Sequence, residues 1–204
     1  CGFQDGSEIH EATMSLLAIE RTGNSYQCFA PDCDQRQVTN HLTGEREEDK
    51  RNVLVESSRI ARGQCLNLDQ FRADDFDYMV LPGGYGAALN LCTFAEDGVD
   101  CHVHPEVERA VQSMHLAGKP IGALCIAPVL LAKILDEVKV TVGDDPSVNV
   151  ALEKMGATTQ NTRAEEVVID NKARVVTGPC YMLDSSIIEI ANGAQNVVNA
   201  LLKM

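Results

Sequence analysis

Residues Ile121 to Pro128 (Ile-Gly-Ala-Leu-Cys-Ile-Ala-Pro) constrain the fold more than any other stretch. Pro120 bars a helix from running in, because its ring removes a donor and disfavours the helical region for Lys119. An apolar run then reaches Cys125, and the helix-prone segment Val129 to Leu135 follows at once. Strand, cysteine and helix in immediate succession make a nucleophile elbow, a tight turn that presents a side chain at the carboxyl end of a strand. The positive end of a helix dipole favours thiolate, so this placement predicts a lowered thiol pKa. A cysteine in an apolar run is more often a small buried hydrophobe. Here its position and the flanking prolines together favour a nucleophile.

Along the chain, helical and extended patterns alternate. Helices are predicted from Glu8 to Thr22 (capped by Asp5 or Ser7), after Asn52 to Arg62, from Pro105 to Ala117, from Val148 to Met155, and from Ser185 or Ser186 to Leu202. Strands are predicted at 26–30, 77–81, 121–124 and 138–142. Residues 166–170 and 173–177 flank Asn171-Lys172 as a hairpin. This alternation predicts an α/β fold with a mostly parallel sheet and helices on both faces. Sites in such sheets lie beyond the carboxyl ends of the strands. Residues 32–51 read as a long polar loop, which in a compact domain tends to be functional or mobile. Residues 1–7 read as the turn after a strand, so a first strand is expected before Cys1, outside these residues.

A length of 204 residues suits one domain, 1–204, with a substantial core. The formal charge of −13 repels phosphate backbones and anionic lipid, and 4% aromatics with no Trp leaves no base-stacking surface. Nucleic acid and membrane are therefore excluded as partners. No apolar run approaches the roughly 18 residues of a membrane helix. Eight cysteines in a chain able to build its own core predict free thiols in a reducing compartment, the cytoplasm or a mitochondrial matrix.

A thiol nucleophile needs oxyanion donors and a proton carrier. The run Asp77 to Leu81 stops at Pro82-Gly83-Gly84-Tyr85-Gly86, a second strand-to-turn junction. It is neither a P-loop nor a dinucleotide fingerprint, since no Gly-Lys-Ser/Thr follows and position 89 is Leu. Such glycines more often make an ordinary tight turn; beside Cys125 they become candidate donors. The predicted oxyanion site is the N–H groups of Gly83, Gly84 and Ile126. Glu8, in the first turn after the expected strand, is the candidate acid/base, although an acid there commonly just complements the helix dipole. His10 lies two residues on and faces elsewhere. His41 sits in the long loop. Cys101-His102-Val103-His104 has half the spacing of a zinc site and no matching second pair, so no metal is expected.

These segments together resemble a known family. Residues 1–12, Phe29-Ala30-Pro31, residues 40–45, Arg51 to Leu54, Pro82 to Ala88, and Gly118 to Gly122 with Cys125 to Pro128 are similar to the ElbB proteins (enhancing lycopene biosynthesis, or sigma cross-reacting proteins). These belong to the PfpI and class I glutamine amidotransferase-like superfamily. The resemblance spans essentially the whole chain. It implies a flavodoxin-like three-layer sandwich, usually dimeric, with Cys125 as the elbow thiol and Glu8 as its acidic partner. It also implies a cofactor-independent glyoxalase acting on a small aldehyde. The superfamily's hydrolases carry a histidine after the strand that follows the elbow helix. Here that place reads Thr141-Val142-Gly143-Asp144, which disfavours a full triad. Leu89 stands where the ElbB pattern usually has Lys. Two rivals to the glyoxalase reading follow. One is a redox-responsive or regulatory protein linked to isoprenoid metabolism; the other is an amidotransferase-like hydrolase, which the missing histidine disfavours.

Overall fold

Proline and capping side chains mark most of the helix starts. The computed structural model describes residues 1–204. Helix α1 (Ile9–Arg21) is capped by Glu8, whose carboxylate accepts from the Glu11 N–H, and not by Asp5 or Ser7 as the sequence suggested. Strand β1 (Cys28–Ala30) precedes a short antiparallel ribbon, β2 (Val38–Thr39) with β3 (Arg46–Glu47). Helix α2 (Val53–Ile60) starts from the Asn52 side chain, and β4 (Cys65–Asn67) follows. Next come β5 (Met79–Leu81), α3 (Tyr85–Leu89), α4 (Phe94–Asp97) and α5 (Pro105–Leu116). The elbow region is β6 (Ile121–Leu124) and α6 (Pro128–Ile134). The remainder is β7 (Lys139–Val140), α7 (Pro146–Lys154), β8 (Thr158–Thr159), β9 (Val168–Asp170), β10 (Val175–Gly178) and α8 (Ile187–Leu201). Helices α5, α6 and α7 each begin with proline, whose missing N–H costs nothing in a first turn.

The central sheet has the order β5-β6-β10-β9. Its first three strands are parallel, and β9 returns antiparallel to β10 as the hairpin pattern required. Both β6 and β10 are buried along their whole length, as central parallel strands covered on two faces must be. Helix α8 covers one face together with α1, while α5 and α6 pack around β6 as well. Contact with α8 is close: a methyl group built on Gly122 would lie 2.9 Å from Leu201 Cδ1 and 3.0 Å from Val197 Cγ1. The architecture is a flavodoxin-like α/β sandwich. Strands β1 and β4 form a separate parallel pair, as do β7 and β8.

Three departures from the sequence expectation have one cause, the brevity of the elements. The polar stretch 32–51 contains the β2–β3 ribbon, too short to show alternation. Strand β4 holds a single large apolar residue, Leu66. Helices α3 and α4 are five and four residues long. The ribbon braces the turn at 1–7. Thr39 N–H donates to the buried Asp5 carboxylate at 2.8 Å, and His41 Nε2 accepts from Gln4 N–H at 3.3 Å. Both contacts hold that turn in place.

Candidate active site

Strand β6 delivers its last residue, Leu124, beside Gly178 of β10, and the Cys125 N–H donates to the Gly178 carbonyl at 2.9 Å. The chain then reverses. Cys125 takes a φ of 57°, in the left-handed region that side chains other than glycine seldom occupy. Holding such a residue costs about 1–3 kcal/mol and persists where surrounding structure enforces it. Ala127 N–H returns to the Leu124 carbonyl, and α6 starts at Pro128. The elbow inferred from the sequence is present at the residue expected.

The carboxyl beside this thiol belongs to Glu11, three residues beyond the one singled out in the sequence. Glu11 is fully buried, and its Oε2 accepts from the Gly83 N–H at 2.9 Å. Its Oε1 accepts from the Tyr181 N–H at 3.3 Å. Both groups crowd Gly83: a methyl group there would sit 2.7 Å from Glu11 Oε2, 2.4 Å from Cys125 Cβ and 3.0 Å from Cys125 Sγ. Only glycine lets β5 turn so close. Glu8 instead spends its carboxylate on the Glu11 N–H at 2.7 Å, while its own N–H donates to the Gly83 carbonyl at 3.0 Å. It positions α1 and the glycine turn. The sequence does not separate Glu11 from Glu8, because both are acids at the start of one helix.

The glycine turn divides its donors. Gly83 N–H is occupied by Glu11, so it does not point free into the site as the sequence suggested. Gly84 N–H and Ile126 N–H lie close enough to the sulfur to favour its charged form. Gly84 has a φ of 92°, and a Cβ there would lie 2.3 Å from Glu8 N and from Gly6 O. Turn 1–7, turn 82–86 and the elbow thus meet at one point, as the parallel sheet demanded.

Electrostatics here run against the sequence expectation of a lowered thiol pKa. Burial pushes the Cys125 thiol well above its ordinary range, and the neighbouring Glu11 charge adds to that; Gly84 and Ile126 N–H groups pull the other way. Burial likewise raises Glu11 to about 7, with the Glu8 charge adding, against the lowering pull of the N–H groups it accepts from. At neutral pH the pair therefore holds one or two protons, and the carboxyl is the member that titrates near neutrality.

Two further neighbours carry no signal in the sequence. Cys180, with a φ of 43°, is completely buried, and its thiol is held high by burial and by the charges of Glu11 and Cys125. Tyr181 Oη lies 2.8 Å from His10 Nδ1, which places an imidazole on the Tyr181 side of the site. The segment Thr141 to Asp144 contributes no imidazole. His102 and His104 do not converge on a metal site with Cys101: His104 Nδ1 accepts from the Glu106 N–H at 3.3 Å, at the start of α5. No cluster of three or more metal-type side chains occurs. All eight cysteines are free thiols.

A cysteine elbow on a parallel α/β sheet, with a buried carboxyl against the sulfur, is the arrangement of the class I glutamine amidotransferase-like proteins. Within them, the model of the DJ-1/PfpI family matches residues 56–183, and the chain belongs to that family. It is 43% identical to a human protein, glutamine amidotransferase-like class 1 domain-containing protein 3, mitochondrial, covering all of this chain and 80% of that one. It is 33% identical to ES1 protein, mitochondrial, of Danio rerio, covering 83% of that protein. Among solved structures, an isoprenoid biosynthesis protein with an amidotransferase-like domain from Ehrlichia chaffeensis superposes with a TM-score of 0.92 at 35% identity, over all of this chain and 95% of that one. This agrees with the ElbB resemblance read from the motifs. No helix is long and apolar enough to cross a membrane.

Proposed function

We propose that the protein is a cofactor-independent glyoxalase-type enzyme that converts glyoxal, or a similar small 2-oxoaldehyde, to the hydroxy acid. The observation that carries this reading is the buried Glu11 carboxyl, raised to about 7, against the Cys125 thiol. A general acid/base works best with a pKa near the operating pH. The Cys125 sulfur adds to one aldehyde carbon, and the thiol proton passes by way of Glu11 to the oxygen, giving a hemithioacetal. Gly84 and Ile126 N–H groups stabilise that oxygen while it is charged. Glu11 then removes the hydrogen on the thioacetal carbon, forming an ene-diol, and returns a proton to the adjacent carbon. The product is the glycolyl thioester of Cys125. Water hydrolyses it, releasing glycolate and restoring the thiol. No redox partner is consumed, because one carbon is oxidised as its neighbour is reduced.

Turnover is expected to fall to background in Cys125→Ser and by at least about a hundredfold in Glu11→Gln, the usual scale of a lost general base. Glu8→Gln is expected to keep most of the activity, since a glutamine oxygen still caps α1. Glycolate formation from glyoxal, measured across these variants, tests all three. Activity that survives Cys125→Ser would refute the nucleophile.

The second reading is a redox-responsive protein in which peroxide oxidises Cys125. A second buried thiol, Cys180, close enough to feel the charge of Cys125, favours it, as does the isoprenoid biosynthesis name of the Ehrlichia relative. A peroxide-dependent mass shift on Cys125 without glyoxal turnover would select it. The mitochondrial names of the human and zebrafish relatives favour a matrix over the cytoplasm, and a homodimer is the expected assembly.

A further inference from the structure

Two cysteines outside the site at Cys125 lie against each other. Cys92 stands opposite Val103 in an isolated antiparallel bridge. Thr93 N–H donates to the His102 carbonyl at 3.0 Å, and His104 N–H donates to the Leu91 carbonyl at 2.8 Å. Those bonds flank positions 92 and 103, which makes them a non-hydrogen-bonded pair, the kind whose Cα atoms approach to about 4.5 Å. Residues 101 and 103 share a face of an extended segment, so Cys101 comes alongside Cys92. Their thiols are in hydrogen-bond contact. Both residues are buried, Cys101 completely. Between them the chain leaves the core: α4 and the helical turn Gly98–Asp100 form a surface loop with Glu96, Asp97 and Asp100 exposed. Arg36 pairs with Glu96 Oε2 at 2.6 Å, and Lys133 Nζ of α6 donates to the Val99 carbonyl at 3.0 Å. On the core side, Cys92 Sγ donates to the Ala87 carbonyl of α3 at 3.4 Å.

We propose that Cys92 and Cys101 are a redox site: a peroxide converts this dithiol to a disulfide that clasps the loop 93–100, and a thiol reductant restores it. The outer ties of the loop are exposed side-chain bonds of small worth, so the loop opens while the core stays folded. Opening admits the peroxide. Cys101 reacts first. Burial raises both thiols, Cys92 to about 12, but at Cys101 the Lys133 charge and the Cys92 S–H oppose the rise. The Cys101 sulfur attacks the peroxide; a sulfur–oxygen bond forms, the oxygen–oxygen bond breaks, and water leaves with the thiol proton. The Cys92 sulfur then attacks the Cys101 sulfenic acid. The disulfide forms, the sulfur–oxygen bond breaks, and a second water leaves with the Cys92 proton. The two thiols lose two electrons and the peroxide gains them. Reclosing the loop buries the bond between α3 and α6, the helices that follow the glycine turn and the elbow. This chemistry needs neither Cys125 nor an aldehyde, so it stands or falls apart from the function proposed above.

The test compares the natural chain with Cys101→Ser. Each is treated with hydrogen peroxide, alkylated, digested and mapped by mass spectrometry. The natural chain is expected to yield the Cys92 and Cys101 peptides joined by a disulfide that dithiothreitol reverses. Amide hydrogen exchange at 94–100 is expected to slow by roughly tenfold or more on oxidation of the natural chain and to stay unchanged in Cys101→Ser. The peptide map of the natural chain decides the linkage even if the variant folds poorly. Three results overturn the proposal. One is recovery of Cys92 and Cys101 as free thiols from protein whose half-buried Cys33 has been oxidised. Another is a disulfide that joins either residue to a different cysteine. The third is equal slowing of exchange at 94–100 in both proteins, which assigns the change to another thiol.

Discussion

Cys125 and Gly83 face each other across the junction of two parallel strands, and each is specified by the other. The left-handed Cys125 brings its Cβ to where any side chain at Gly83 would have to stand. Gly83→Ala would place a carbon 2.4 Å from Cys125 Cβ and 2.7 Å from Glu11 Oε2, distances that force a shift of backbone and acid together. The expected outcome is loss of glyoxal turnover by at least about a hundredfold, the scale of a misplaced general base, with destabilisation of about 1–3 kcal/mol from overpacking. Steady-state kinetics and urea unfolding of the purified variant check the two parts. At this scale the sequence showed the thiol clearly and the acid only by its neighbourhood. Both Glu8 and Glu11 lie where a first helical turn carries acids, and a buried general base looks no different in sequence from a dipole-complementing carboxylate. Both are buried, and only the packing of α1 against the glycine turn distinguishes them, by setting the Glu11 carboxyl against Gly83 and Cys125 and the Glu8 carboxylate on the helix cap.

Helices α1 and α8 start with different devices and carry different loads. Ser186 opens α8 with a reciprocal capping box: its hydroxyl accepts from Glu189 N–H, and the Glu189 carboxylate takes the Ser186 N–H. Ser186 is exposed, and its side chain bonds only within the capping box. Ser186→Ala is expected to cost about 1 kcal/mol and to leave turnover per folded molecule unchanged. Glu8→Ala removes a cap of similar worth, yet its helix carries Glu11 into the site. That variant is expected to lose comparable stability and, in addition, a large part of its kcat. Paired melting curves and kcat values for the two variants make the comparison. Long, strongly patterned elements such as α1, α5, β6 and α8 were readable from periodicity and caps. The two-residue strands of the β2–β3 ribbon were not, because tertiary contacts with Asp5 and Gln4 hold the chain there, and those partners lie more than 30 residues away in sequence.

Across the whole molecule, the buried Glu11 makes stability depend on pH. In the folded chain it keeps its proton up to about 7, whereas an unfolded carboxyl releases it near 4.5. Between those values the folded state binds more protons than the unfolded one, so stability from this group falls as pH rises. Cys125 stays protonated throughout this range, because its thiol lies above its ordinary value. Glu11→Gln lacks the slope. Relative to the natural chain it is expected to gain stability on going from about pH 4.5 to about pH 8, by on the order of 3 kcal/mol. Urea unfolding of both proteins at the two pH values measures it; parallel pH profiles would show that folding does not raise the Glu11 pKa.

The sequence by itself determined the α/β class, the position of the elbow at Cys125 and the glycine turn opposite it. Each of these depends on local chemistry: proline breaks, apolar runs of strand length, and glycine where a side chain has no room. The tertiary structure decided which carboxyl meets the sulfur, which amides remain free for an oxyanion, and in which direction the thiol's pKa moves. Those outcomes depend on burial and on distances between segments far apart in the chain. A helix start and a tight turn are local events, but desolvation is a property of everything packed around a group. At Cys125 that packing outweighs the amide donors that the elbow provides.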